Sequence, residues 1–212
     1  QNKNILEAFN NSMISISSEP SPLKYSYMEG MDFFNENEKE SRKAILEEGL
    51  SLFENIFNYK SSSYIANCYI WDEYVEEVLS QKGVEFIQGV RIQKSPIIEN
   101  NTHQHQFKSN YLGKQNKFNQ FYLVRNVHFE PSHYPNNIID YCLKDISNAF
   151  RWNKPAIISS HRINFIGAID VNNRIRNLKI LNDILTKITK KWPDVEFMSS
   201  QELGHLIKKS KK

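Results

Sequence analysis

The stretch Ala156-Ile157-Ile158-Ser159-Ser160-His161 decides the predicted fold of this chain. Its apolar run predicts a short buried strand, and its last three residues place polar side chains at the end of that strand. Residues 137–151 before it and 172–191 after it repeat apolar side chains at helical spacing. A strand between two helices is typical of parallel β/α units.

The same alternation continues along the rest of the chain, so we expect an α/β protein built from parallel β/α units. We predict that 1–212 form a single domain, with 1–35 as an extension or arm. The polar stretch 90–119 shows no clear period and predicts a long loop. The remaining strands are predicted at 13–16, 64–69, 84–87, 121–125 and 195–198, and the remaining helices at 38–58, at 72–81 and after Ser199 or Ser200.

Apolar stripes on the predicted helices indicate which faces form the core. On the helix at 137–151 the stripe is Ile139, Cys142, Ile146 and Phe150; on the helix at 172–191 it is Ile175, Leu178, Leu181, Leu185 and Ile188. Cys68 and Cys142 are expected to be buried free thiols, although the sequence also allows a disulfide between them.

Composition narrows the class of protein. The chain has 212 residues, of which 40% are hydrophobic and 24% charged, and a formal net charge of +3. These values predict a soluble globular protein, in the cytoplasm or exported with a removed signal. No apolar run is long enough for a membrane span, so no membrane partner is expected. Basic residues are not interleaved with aromatic ones on one face, so we do not expect nucleic acid as a partner.

Polar residues at strand ends are the candidate site, because ligands of parallel α/β folds bind beyond the carboxyl ends of the strands. His161 ends one strand, where an imidazole can act as acid, base or ligand near neutral pH. The alternative is a structural histidine hydrogen-bonded in a loop.

A second polar cluster follows the strand at 121–125. If the chain stays extended, Asn126, His128 and Glu130 share one face. A histidine and a carboxylate two residues apart can chelate a metal or form an acid–base pair. The alternative is a polar loop in which Glu130 pairs with Arg125.

Metal ligands are not assigned from the sequence. His103-Gln104-His105 would place two imidazoles on one side of an extended chain, where they could hold zinc, but two ligands are not a site. Asp32 is too isolated in the sequence to interpret. The sequence therefore leaves open whether the protein binds a divalent metal such as zinc as a cofactor.

Aromatic residues offer a sugar-binding surface. Tyr69 and Trp71 lie at the end of the strand predicted at 64–69 and could stack on the apolar C–H patches of a sugar ring. The alternative is that both rings pack in the core.

Four segments of the chain resemble one family. They are Tyr64-Ile65-Ala66-Asn67-Cys68-Tyr69-Ile70-Trp71, Gly83-Val84-Glu85-Phe86-Ile87-Gln88-Gly89, Arg125-Asn126 with Phe129-Glu130-Pro131-Ser132, and Ile158-Ser159-Ser160-His161-Arg162-Ile163-Asn164-Phe165-Ile166-Gly167. In order and spacing they resemble the C-terminal half of bacterial proteins of the polysaccharide deacetylase-like (glycoside hydrolase/deacetylase) superfamily. The resemblance covers most of residues 60–203.

The resemblance implies an incomplete or distorted (β/α)7 barrel and a carbohydrate-active hydrolase. His161 would be the general acid, with Glu130 and Arg125 as further catalytic residues. The implied substrate-binding residues are Asn164, Asn126, Tyr69, Trp71 and His128. The implied partner is a carbohydrate substrate.

The chain also departs from the family pattern. The Asp-Asp pair and the His-x3-His pair that the deacetylases use as base and metal ligands do not occur in it. The alternatives are therefore a non-catalytic glycan- or partner-binding module on the same scaffold, or an inactive fragment of a longer enzyme. A fragment would leave a sheet edge for a second copy or an N-terminal segment to cover.

Overall fold

A computed structural model describes residues 29–100, 102–133 and 136–211, together with Leu6, Asn10 and Asn11. The protein has mixed α/β structure with parallel strand pairs, and the described residues form no closed barrel. Contacts divide the chain into two compact units. Unit 1 extends to Leu123 and takes in the chain from Ser210 onward, and unit 2 is Val124–Lys209. The strand predicted at 13–16 lies outside the described residues.

Among the residues that the structure describes from position 29 onward, unit 1 contains α-helices, a small sheet and a hairpin. The helices are α1 (Glu36–Phe57) and α2 (Glu73–Gln81); the strands are β1 (Ser63–Ile65), β2 (Phe86–Gly89), β3 (Ile92–Glu99), β4 (Thr102–Ser109) and β5 (Phe121–Val124), of which β5 reaches the boundary between the units. The sheet has the order β1-β2-β5, and β1 runs parallel to β2 with Ser63 opposite Phe86.

Side-chain caps explain where the helices of unit 1 begin. The Asn35 side chain accepts a hydrogen bond from the Glu38 N–H at 2.9 Å, and the Glu38 carboxylate accepts one from the Phe34 N–H at 2.9 Å. This reciprocal capping box fixes the chain just before α1. Asp72 caps α2 by accepting from the Val75 N–H at 3.0 Å.

The prediction of a long loop at 90–119 was wrong over much of its length. Strands β3 and β4 lie in this stretch and pair antiparallel, from Ile92 opposite Ser109 to Glu99 opposite Thr102. The many polar side chains concealed the strand pattern, because Gln93 and Ser95 occupy alternate buried positions of β3 and β4 is largely exposed, so apolar alternation does not mark either strand.

Unit 2 contains the strand that decided the sequence prediction. Its elements are β6 (Val127–His128), α3 (Ile138–Arg151), β7 (Ile158–Ser159), α4 (Val171–Lys191) and α5 (Ser200–Ser210). Strands β6 and β7 pair in parallel, with Val127 opposite Ile158 and His128 opposite Ser159. The strand predicted at 195–198 is wrong, because these residues have no regular structure.

The core of unit 2 lies between this strand pair and the helices α3 and α4. It is formed by Val127, Phe129, Ile138, Cys142, Ile146, Ile184 and Ile188. On α4 the predicted stripe is only partly buried: Ile188 is 2% exposed, whereas Ile175 is 60% exposed and Leu178 47%. Asn177 is buried on this helix instead, so its N-terminal half turns a polar face inward.

No helix within the described residues combines the length and the apolarity that a bilayer crossing requires. Cys68 and Cys142 are both free, as expected, but only Cys142 is buried and Cys68 is exposed.

Candidate active site

The polar ends of β6 and β7 meet in unit 2. Phe129 follows β6, and its N–H donates to the carbonyl of Ser159 on β7 at 2.8 Å. This parallel pairing carries both strands in the same direction, so the residues after them, Glu130 and His161, reach the same edge.

His161 and Glu130 are hydrogen-bonded to each other at this edge. The His161 Nδ1 lies 2.7 Å from Oε1 of Glu130. The imidazole is 65% exposed, whereas the carboxylate is only 12% exposed. The accessible partner is therefore the histidine, and the carboxylate lies beneath it as a support.

Asn164 holds the carboxylate from the other side. Its side-chain amide donates to Glu130 Oε2 at 2.7 Å and to the His161 carbonyl at 2.8 Å, and its Oδ1 accepts from the Ser132 N–H at 3.1 Å. Asn164 is fully buried in the short 3-10 helix Arg162–Phe165. Each of its polar atoms thus has a partner, which a buried amide requires.

Two residues of α4 complete this network. Asn177 donates to the Asn164 carbonyl at 2.7 Å and to Ser132 Oγ at 2.8 Å. Asn173 accepts from Ser132 Oγ at 3.0 Å and donates to the Ile163 carbonyl at 3.0 Å. Sequence reasoning missed Asn173, Asn177 and Ser132. The signal was the pair of asparagines four residues apart, which occupy one helix face.

The contact with Glu130 indicates which ring nitrogen of His161 carries a proton. An ionised carboxylate only accepts hydrogen bonds, so Nδ1 is the donor toward Glu130. The other ring nitrogen, Nε2, then accepts in the neutral imidazole and donates in the imidazolium. An exposed imidazole held in this way can pass a proton to or from a bound molecule.

Three other residues predicted for this site also belong to unit 2, but each makes different contacts. Arg125 donates to Ser159 Oγ at 3.3 Å. Asn126 donates to the Pro155 carbonyl and accepts from the Ile157 N–H, so its amide is committed to the backbone beside β7. His128 is exposed on β6. In place of the alternative pairing with Arg125, Glu130 contacts His161.

The aromatic pair predicted to bind sugar is in unit 1, and one of its rings is unavailable. Trp71 is 1% exposed, and its Nε1 donates to Glu76 at 2.9 Å. A Cβ placed on Gly89 would lie only 3.1 Å from this ring, which shows how closely the ring packs on β2. The prediction that Trp71 stacks on a sugar is therefore wrong, while Tyr69 is half-buried with a φ of 58°.

A second polar cluster lies in unit 1. Asp32, His103 and His105 meet there, and their ligand atoms all lie within 4.8 Å of one another. The sequence separates Asp32 from the two histidines by about 70 positions, so only the fold shows that they belong together.

Unit 2 also contains an apolar cavity of about 400 Å³. Its walls include Ile146, Phe150, Ile188, Phe197, Leu203 and Leu206, and neither His161 nor Glu130 lines it. The cavity and the hydrogen-bonded pair of His161 and Glu130 are therefore separate features.

Comparison with known proteins yields no significant match to a family model, to a curated protein or to a solved structure.

Proposed function

We propose that unit 2 carries the acid–base site of a carbohydrate-active hydrolase of the deacetylase type. The observation that carries the proposal is the 2.7 Å contact between His161 Nδ1 and the largely buried Glu130 carboxylate. A histidine oriented by a carboxylate is the standard arrangement for a general acid or base. His161 stands after a strand in a parallel pair, where catalytic groups of α/β enzymes are found.

In the proposed reaction, water adds to the acyl carbon and the bond to the sugar nitrogen or oxygen breaks. The products are acetate and the free amine or hydroxyl. His161 would supply a proton to the leaving group through Nε2, and the proton that the attacking water loses would restore the imidazolium, so that the proton balance closes. Glu130 would act as a positioning residue, because it holds the ring through Nδ1 and stabilises the imidazolium.

The remaining assignments belong to the same proposal. Asn164 would support Glu130 from the buried side rather than contact the substrate. Arg125 and His128 would orient the substrate. Membership of the polysaccharide deacetylase-like superfamily, with a partial (β/α)7 barrel, is also a proposal. The parallel strand pairs and the position of His161 after β7 support it.

The test measures acetate release from acetylated chito- and xylo-oligosaccharides by the whole chain. His161→Gln should lower kcat/KM by roughly 10²–10⁴-fold, the usual contribution of a general acid. Glu130→Gln should also lower it strongly, because Asn164 would hold the amide oxygen and turn the amide NH₂ toward Nδ1, which inverts this hydrogen bond and removes the charge that stabilises the imidazolium. His205→Gln, on an exposed helix position of α5, is the matched control and should retain activity.

Retention of activity by His161→Gln, or no acetate release by the wild-type chain, would refute the proposal. Binding of the same oligosaccharides without turnover would favour the alternative, a non-catalytic glycan-binding module. The burial of Trp71 counts against that alternative, because it removes one of the two rings from any binding surface.

A further inference from the structure

We infer that Asp32, His103 and His105 form a binding site for a divalent first-row transition-metal ion of the zinc type. The inference does not depend on the proposed function, because these residues belong to unit 1 and His161 to unit 2.

Both histidines point the same nitrogen at the same carboxylate. His103 Nε2 lies 2.9 Å from Asp32 Oδ1, and His105 Nε2 lies 3.1 Å from Asp32 Oδ2. Zinc–nitrogen and zinc–oxygen bonds are about 2.0–2.2 Å long, so ligand atoms of a tetrahedral site lie roughly 3.3 Å apart. All three ligand atoms lie within 4.8 Å of one another, so shifts of roughly 1.5 Å at most would bring them to the spacing of a tetrahedral site.

The hairpin explains why the two imidazoles share a direction. His103 and His105 are two residues apart on β4, and the pairing of Pro96 with His105 and of Ile98 with His103 keeps this strand extended. Alternate residues of a strand face the same side. The Phe34 ring packs against the His103 ring with 4.2 Å between centroids and limits its rotation.

The start of α1 positions the carboxylate. The Phe33 N–H donates to Asp32 Oδ1 at 3.0 Å, and Arg42 Nε donates to the Asp32 carbonyl at 3.1 Å. The capping box of Asn35 and Glu38 fixes the chain that follows. Asp32 is thus anchored at its backbone by a helix and faces the hairpin with its side chain.

Charge balance favours a cation at this position. Asp32 is 2% exposed, and within the described residues the basic side chains that contact its carboxylate are the two imidazoles, which carry a charge only when protonated. A buried carboxylate is costly unless a positive charge compensates for it. The side chains of His103 and His105 are 16% and 23% exposed, which leaves a route from solvent for an ion.

The ligand types select the class of ion. Two imidazoles and one carboxylate suit zinc and its first-row neighbours, whereas Mg²⁺ and Ca²⁺ prefer oxygen ligands only. Three protein ligands leave a coordination position open for water or another small ligand, as in catalytic rather than structural zinc sites.

The experiment titrates the metal-stripped full chain with Zn²⁺ by calorimetry and with Co²⁺ by visible absorption. One equivalent of either ion should bind per chain, and Co²⁺ should show ligand-field bands. His103→Gln and His105→Gln should each weaken binding roughly 100-fold and remove those bands, because a lost ligand is not replaced. His205→Gln is the matched control and should bind like the wild type.

Circular dichroism of each variant separates lost ligation from lost folding. Both histidines lie on a largely exposed strand, so the Gln variants should fold even if Asp32→Asn does not. Zinc should raise the Tm of the wild-type chain and leave that of the folded Gln variants unchanged. No zinc binding by the wild type, equal binding by the Gln variants, or displacement of zinc by excess Mg²⁺ would overturn the inference.

Discussion

At the scale of single residues, Asn164 is the side chain on which the His161 site depends most. It is fully buried and contacts the Glu130 carboxylate, the Ser132 backbone and the His161 carbonyl. A buried amide with all its partners present specifies one arrangement of the loops around it. Its loss would leave polar groups without partners in an environment that water cannot easily reach.

Asn164→Ala should therefore lower the free energy of unfolding by about 2–3 kcal/mol, since buried groups that lose their partners cost about 1–3 kcal/mol each. Urea unfolding followed by circular dichroism measures this difference. Asn172→Ala, at an exposed position near the start of α4, is the matched control and should change stability by less than about 0.5 kcal/mol. Equal effects of the two substitutions would contradict a stabilising role for the hydrogen bonds of Asn164.

At the scale of elements, the position of α4 along the chain was predicted correctly, but the face that it buries was not. The periodicity predicts a helix at 172–191, and the structure has one at Val171–Lys191. The predicted stripe takes Ile175 and Leu178 as inward-facing and leaves out Ile184, which is 2% exposed. In the structure Asn177 takes an inward position to bond Asn164 and Ser132, and Ile175 is left exposed. The helix is therefore rotated so that Asn177, Ile184 and Ile188 turn inward, whereas Ile175 faces solvent.

A pair of substitutions on α4 tests this rotation. Ile188→Ala should destabilise the protein by about 2–4 kcal/mol, because it leaves a cavity in the core of unit 2. Ile175→Ala changes the same chemical group at a 60% exposed position and should have an effect of less than about 0.5 kcal/mol. Chemical denaturation of both variants gives the comparison, and a larger loss for Ile175→Ala would show that the helix faces the other way.

At the scale of the whole molecule, buried acidic groups link stability to pH. Burial raises the pKa of Tyr64 to about 12 and that of the Cys142 thiol to about 12. Burial, and then the nearby Glu76 carboxylate, also raise the pKa of Tyr122. In the unfolded chain tyrosine ionises near pH 10 and cysteine near 8.5. Above these values the folded state retains protons that the unfolded state releases, so stability falls as pH rises.

The free energy of unfolding should accordingly drop by roughly 2–4 kcal/mol between pH 8 and pH 10.5, since each pKa unit corresponds to about 1.4 kcal/mol. Urea titrations at the two pH values measure this loss. Tyr122→Phe should reduce it by about 1 kcal/mol, because phenylalanine does not ionise. Tyr141→Phe, at an exposed position, is the control and should leave the loss unchanged. The same loss in both variants would show that Tyr122 does not contribute.

Local patterns in the sequence determined much of the fold. Helices were predicted close to their observed positions at Glu36–Phe57, Glu73–Gln81, Ile138–Arg151 and Val171–Lys191, because apolar periodicity is a property of neighbouring residues. The parallel β/α character and the position of His161 after a strand followed from the same patterns. Strands β3 and β4 were missed, since their pairing gives no strong apolar signal.

Only the tertiary structure decided which distant residues meet. It placed Glu130 against His161, buried Trp71 behind Gly89, and brought Asp32 to two histidines about 70 positions away. Distances of this kind depend on how elements pack, and residue types at a given spacing do not encode them. The sequence by itself thus determined the elements and one end of the candidate site, whereas packing decided its partners and the second cluster of ligands.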